Sequence, residues 1–205
     1  SFFEDGGNMK KVLIGLGGLV IVLVVVAMVF LPRIVPVERK VVINAGPEKI
    51  YSHIANLEEW QKWNPWGAKD PSMKLSYGDK TVGEGASYSW ESESQGSGTM
   101  TITKVVEPTR VETALDFGAQ GKAKAHFDLK SVGENQTEVV WHMDADMGNN
   151  PIGRVFGTMM DGMIGPDFED GLRRLKELSE SEDAAASQPS PAPDTAATPQ
   201  PTATP

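Results

Sequence analysis

Cysteine is absent from the 205-residue chain. Its absence excludes disulfides, thiolate nucleophiles, cysteine-held zinc or iron–sulfur centres and lipid attachment at an N-terminal cysteine. A chain without cysteine is stable in either redox environment, so the compartment stays open. Histidine is scarce: three residues, His53, His126 and His142, are scattered without ligand spacing, and no metal site is expected. Positive charge is also short, with 19 Lys and Arg against 28 Asp and Glu, a formal net charge of -9. Neutralising phosphates requires clustered Lys and Arg, so a nucleic-acid partner is excluded. The soluble part has no phosphate-cradling loop and no Gly-x-Ser-x-Gly elbow. Asp144, Asp146 and Asn149 sit close together but lack the spacing and the Glu of an EF-hand. No cofactor is expected, and no catalytic residue is assigned.

The chain does have one long apolar run. From Val12 to Leu31 it reads VLIGLGGLVIVLVVVAMVFL, with no charged side chain. Twenty helical residues rise roughly 30 Å, the thickness of a bilayer's hydrocarbon core. The run exceeds the apolar region of a secretory signal, and Phe30-Leu31-Pro32-Arg33 offers no small-residue cleavage site. Gly15, Gly17 and Gly18 lie inside it and are ordinary for a membrane helix, because no preceding strand makes them a nucleotide fingerprint. Residues 12–31 are therefore read as an uncleaved transmembrane helix. Residues 1–11 form an N-terminal extension with Met9 as the natural start, and residues 32–36 form a linker. Lys10 and Lys11 precede the span, while Arg33, Arg39 and Lys40 follow it, so charge gives only a weak bias. The favoured reading is a single-pass protein of a bacterial inner membrane with its soluble domain outside the cytoplasm.

At the other end, residues 182–205 hold Ala, Pro, Thr, Ser and Gln with a few acidic residues and no large apolar side chain. Such a segment cannot offset its own ordering entropy, and disorder is expected. Folding is left to residues 37–181, in which 40% hydrophobic content for the whole chain permits a packed core. Val37–Asn44 alternates as a strand. Pro47 and Glu48 suit a helix start, and Ile50, Tyr51, Ile54 and Leu57 recur at helical spacing. A second helical turn covers Leu57–Lys62. Six alternating stretches follow: Met73–Tyr77, Ala86–Ser92, Thr99–Glu107, Arg110–Phe117, Lys122–Val132 and Thr137–Ala145. Their separators are Gln95–Gly98, Pro108-Thr109, Gly118–Gly121 and Gly133–Asn135, which predicts an antiparallel meander. Ala123, Ala125, Phe127 and Leu129 share one face of their strand, and Lys122, Lys124, His126 and Asp128 the wet one. A helical stripe from Ile152 to Leu178 ends the fold, with Pro166 expected to start a second, longer helix. The expected class is α+β, in the order β-α-α-β(6)-α: a curved antiparallel sheet wrapped around a long C-terminal helix.

The stretches VERKVVINAGPEKIYSHIANLEEWQKWNPW, VGEGASYSW, GSGTMTITKVVEPTRVETALDF and MIGPDFEDGLRRLKEL resemble the polyketide cyclase/dehydrase-like branch of the SRPBCC superfamily. Its helix-grip fold is shared with START and birch-pollen-allergen-like domains. The resemblance covers essentially residues 37–180. It implies a cavity between sheet and C-terminal helix that holds a hydrophobic or lipid-like small molecule. Tyr88, Trp90, Met100, Leu115, Phe117, Phe127, Trp141 and Met143 would line it from the sheet. Trp66, Phe156, Met159, Met160, Met163 and Phe168 would close it from the helices, and methionine suits a pocket of adaptable shape. Trp60 and Trp63, three apart on one helix face, either gate that cavity or staple the helix to the sheet edge; stapling is preferred. Asp161, Asp167 and Arg154 border the Met-rich stripe, and are read as surface charge, with Asp167 capping a helix beside Pro166. Three functions stay open: a membrane-anchored binding module, which is favoured, a cyclase/dehydrase-type enzyme, and a co-chaperone-like interaction domain. No protein partner is identified.

Overall fold

The computed structural model describes residues 5–186. A helix, α1 (Asp5–Phe30), precedes strand β1 (Ile34–Ile43). Three short helices follow: α2 (Pro47–Ala55), α3 (Trp60–Trp63) and α4 (Pro65–Lys69). Then come β2 (Lys74–Tyr77), β3 (Ser87–Ser92), β4 (Gly96–Val106), β5 (Arg110–Asp116), β6 (Lys122–Gly133) and β7 (Gln136–Asp146). The chain ends in α5 (Pro151–Gly157) and α6 (Met160–Ala186). All seven strands form one antiparallel sheet ordered β1-β7-β6-β5-β4-β3-β2. Register shifts between Ile102 and Lys104 and between Ser131 and Gly133 are bulges that bend it. This is the helix-grip architecture: α6 crosses over β1 and the inner face, and α2, α3 and α4 cover the rest.

Local chemistry explains the punctuation. Pro47 follows the Gly46 cap and opens α2, where a missing N–H costs nothing. Asn64 opens α4 by accepting from the Trp66 backbone N–H at 2.8 Å, which satisfies one orphan donor. That extra short helix was not expected, because Pro65 reads as a stop and here is a start. Gly96 and Gly98 belong to β4 and not to the turn before it, since Gly96 pairs with Ser92 and Gly98 with Trp90. Pro166 lies inside α6, while the break falls earlier, at Thr158 and Met159. The helix forgoes there the one bond Pro166 would have donated to the Gly162 carbonyl. Residues 183–186 continue α6, beyond the expected domain end. The remainder of the Pro/Ala/Thr-rich tail lies outside the described residues.

Alternation on the sheet is regular. Ala123, Ala125, Phe127 and Leu129 of β6 are buried, as are Thr137, Val139, Trp141, Met143 and Ala145 of β7. From α6, Phe168, Leu172 and Leu175 meet them. Gly171 brings the helix backbone close, because a Cβ there would stand 2.9 Å from Trp141 and 3.1 Å from Pro65. Arg39 of β1 fixes the start of α6 through Asp161 at 2.8 Å and Glu169 at 2.7 Å. By contrast α1 is exposed on nearly every side. Its span Met9–Phe30 covers 22 residues, with a mean hydropathy of 3.1 in its most apolar 18-residue window, and is long and apolar enough to cross a membrane.

Candidate functional site

Between the sheet and the start of α6 lies a cavity of about 470 Å³. Twelve of the fourteen residues proposed from sequence line it: Trp66, Tyr88, Trp90, Met100, Leu115, Phe117, Trp141, Met143, Phe156, Met160, Met163 and Phe168. Two do not. Phe127 is fully buried against Trp60, Trp63 and Trp141, one residue pair too deep along β6 to reach the void. Met159 is 54% exposed, because the break before α6 turns it to the outer side.

The sheet side of the cavity exists because the inward residues taper. Along the β6–β7 ladder the inward pairs run Ala123 with Ala145, Ala125 with Met143, then Phe127 with Trp141. The alanine end is hollow and the aromatic end is full. Ala123 and Ala125 were read only as part of the buried face, and neither they nor Ala145 as cavity wall, although a small-to-large gradient along one face was the available signal. Trp60, Asn64, Met73 and Met147 also reach the wall and were missed as wall residues. Gly98 makes room for Trp90: a Cβ there would meet the indole at 2.5 Å and the Asp116 carbonyl at 2.7 Å.

Aromatic packing closes the inner end. Trp141 stacks on Phe168 at 3.9 Å between ring centroids and on Phe127 at 4.9 Å, with Trp60, Trp63 and Trp66 edge-on. Trp60 donates its indole N–H to the Ile54 carbonyl at 2.8 Å. The tryptophans thus anchor α3 on the central strands, not on a sheet edge. Asp167, expected as a cap, lies instead well within α6. It is buried, accepts from the Trp66 indole at 3.1 Å and pairs with Lys69, so it fastens α4 to α6.

Few polar groups face the void. Tyr88 presents a phenol whose pKa is pushed up by burial and, secondarily, by Tyr77. Asn64 uses its side-chain oxygen on the Trp66 backbone. At the open end, Asp146 is held at 2.8 and 2.7 Å by Arg33 and at 2.8 Å by the Gly148 N–H. Those bonds, the Arg33 one foremost, lower its pKa to about 2. Lys122 is paired with Asp116 at 2.8 Å. Both charges at the opening are therefore already neutralised, and the wall presents chiefly carbon and methionine sulfur. Such a surface can hold an apolar body, with the Tyr88 hydroxyl and the side chains of Asn64, Thr113, Gln95 and Gln120 as its polar groups.

An antiparallel sheet gripping a C-terminal helix around an apolar cavity defines a helix-grip, START-like domain. The profile of the polyketide cyclase / dehydrase and lipid transport family matches residues 35–180, and the chain belongs to that family. Solved structures share the fold. A START superfamily protein from Mycobacterium smegmatis is 18% identical with a TM-score of 0.53, over 72% of this chain and 99% of that one. The Aha1 dimer from Colwellia psychrerythraea is 21% identical with a TM-score of 0.51, over 71% and 96%. The di-domain ARO/CYC StfQ of the steffimycin biosynthetic pathway is 9% identical with a TM-score of 0.57, over 74% and 52%. Among curated proteins, none matches this sequence.

Proposed function

We propose that the domain binds a hydrophobic or lipid-like small molecule in the cavity while α1 anchors it in a membrane. The observation that carries this reading is the cavity itself. Its volume of about 470 Å³ falls within the roughly 300–1,000 Å³ of small-molecule sites. Its wall is built from Trp90, Met100, Leu115, Phe117 and Met143, with charge confined to the ion-paired opening. The anchor is a single pass, Lys10 and Lys11 staying on the cytoplasmic side and the domain emerging on the other.

The test uses the full chain in detergent micelles and a fluorescent fatty acid as probe, beside an Ala125→Phe variant that fills the void. Saturable binding by the parent chain and at least tenfold weaker binding by the variant support the carrier reading. Native mass spectrometry after organic extraction then identifies what co-purifies. Equal, non-saturable signals from both chains sink it. A second reading, ring-closing chemistry on a polyketide, draws on the buried Tyr88 phenol. Turnover of a polyketide substrate that disappears in Tyr88→Phe distinguishes it from binding alone.

A further inference from the structure

The apolar residues left uncovered around the opening are not scattered. Ile152 is 77% exposed, Val155 51%, Phe156 43%, Met159 54% and Met163 51%. Their spacing of three and four places them along one stripe of α5 and the start of α6. Backbone bonds from Met159 to Phe156 at 3.0 Å and from Met163 to Met159 at 3.1 Å carry that stripe across the break. Scattered exposed side chains of this kind are ordinary on a soluble domain, whereas a contiguous row marks an interaction surface.

The neighbour of that stripe identifies its occupant. α5 packs against α1. Arg154 of α5 donates to the carbonyls of Met28 and Leu31, the latter at 3.1 Å, at the end of the apolar span. Those are orphan carbonyls of a helix terminus, and Arg154 satisfies them. Gly157 fits the same junction closely, since a Cβ there would meet Val35 at 2.9 Å. The opening is fixed to the same point by register. Ile34, four residues after the last residue of α1, pairs with Asp146; Asp146 pairs with Lys122, and both line the opening. Arg33 pins Asp146 from the linker. At the end of α1, Val29 and Phe30 are likewise exposed, at 69% and 76%.

We infer that α5 and the first turn of α6 form an interfacial lip seated in the bilayer beside the end of α1, so that the cavity opens onto lipid and not onto water. This rests on the membrane-anchor reading of α1. A short apolar helix face beside a span lies about 5–10 Å into the headgroup and acyl boundary, the depth at which Ile152, Val155 and Met159 are desolvated. Phe156 and Met163 belong both to this stripe and to the cavity wall. An apolar molecule therefore passes from leaflet to cavity past Phe156 and Met163, beside the ion-paired Asp146 and Lys122.

The absence of cysteine makes the test direct. Four single-cysteine variants of the full chain, Leu23→Cys, Ile152→Cys, Met159→Cys and Ser131→Cys, carry a nitroxide and are reconstituted in phosphatidylcholine–phosphatidylglycerol vesicles. Collision with oxygen reports lipid, and collision with a nickel chelate reports water. Position 23 lies in the span, and position 131 is exposed at the far end of β6. The expected result is an oxygen-to-nickel ratio at 152 and 159 that approaches that at 23 and exceeds that at 131 severalfold. A lipid signature at 23 with water signatures at 152 and 159 overturns the lip and leaves the anchor standing. A water signature at 23 overturns both. Labels at 152 and 159 shielded from both reagents, with broadening that grows with protein-to-lipid ratio, assign the stripe to a second copy of the chain and overturn the lip.

Discussion

At one end of the sheet–helix layer, Trp60, Trp63, Phe127 and Phe168 close around Trp141 until no space remains. At the other end Ala123, Ala125 and Ala145 occupy the same inward-facing rows and leave a cavity of about 470 Å³. Both ends obey the same period of two, and both are bounded by α6. The difference lies only in side-chain volume along the rows. Alternation identifies which face is inside, and the gradient of size along that face decides whether the inside is filled.

The largest expected effect breaks the filled end. Trp63 is fully buried, and truncating it removes a large aromatic surface and leaves a void. Trp63→Ala is expected to cost about 3–5 kcal/mol of stability, the range of aromatic truncations in cores. At the hollow end Leu115 already borders empty space, and Leu115→Ala is expected to cost less, about 2 kcal/mol or below, at the low end of such truncations. Urea unfolding of the full chain in micelles, followed by tryptophan fluorescence, checks both. Equal losses at the two positions would mean that the cavity collapses in solution.

Adding volume sharpens the same contrast from the other side. Gly171→Ala drives a methyl into Trp141 and Pro65, and overpacking of this kind costs about 1–3 kcal/mol. Ala125→Phe adds far more volume, but into space that exists, so its unfolding midpoint is expected to stay within error of the parent. Binding should behave in reverse: the fluorescent fatty acid is retained by Gly171→Ala and lost by Ala125→Phe. A strongly destabilised Ala125→Phe would show that the hollow end has no room.

Much of this was legible in the sequence, and the exceptions have common causes. The apolar span, the six alternating strands and the helical stripe are periodic signals, and periodicity survives without any knowledge of contacts. Twelve of the fourteen proposed wall residues line the cavity, seven of them on the sheet's strands or at the end of β5 and five on α4, α5 and α6. Phe127 and Met159 failed for opposite reasons. Phe127 is inward but lies beyond the aromatic end of the taper, and Met159 follows the helical stripe but falls at a backbone break. Asp167 failed because its partners, Trp66 and Lys69, come from a helix about a hundred residues earlier, which no local pattern reveals. The alanines of the floor were not read as wall because small residues are read as filler, whereas here their smallness makes the cavity.

Acid separates the loops at the hollow end from the filled core. Asp70, after α4, accepts from the hydroxyls of Ser72, Ser92 and Ser94 and from the Ser72 backbone N–H, and so ties α4 to the β3–β4 turn. These bonds, the Ser72 hydroxyl first, lower its pKa to about 2. An unfolded aspartate titrates near about 3.9. The folded carboxylate is thus favoured, its stabilisation is complete above that unfolded value, and it is lost as pH falls toward about 2. Thermal midpoints of the parent chain should drop through this window, and Asp70→Asn should be less stable near neutrality with a shallower acid slope. Identical slopes in the two chains would remove Asp70 from the acid response.

The smallest expected effect lies on the outer face, remote from both ends of the core. His126 and His142 are cross-strand partners whose rings stack at 4.8 Å between centroids. The pKa of His126 is lowered chiefly by burial and then by Arg110, with His142 adding to it, while Asp128 and Glu112 oppose. The folded state therefore prefers neutral His126, whereas the unfolded ring takes its proton near about pH 6.5. Stability from this preference is full above that value and is lost as pH falls toward the lower folded pKa. His126→Gln should flatten the parent chain's slope just below pH 6.5 while leaving its midpoint at pH 8 and its fatty-acid binding unchanged, because the His126 side chain does not line the cavity. A binding change in His126→Gln would show that the outer face and the cavity are coupled through β6.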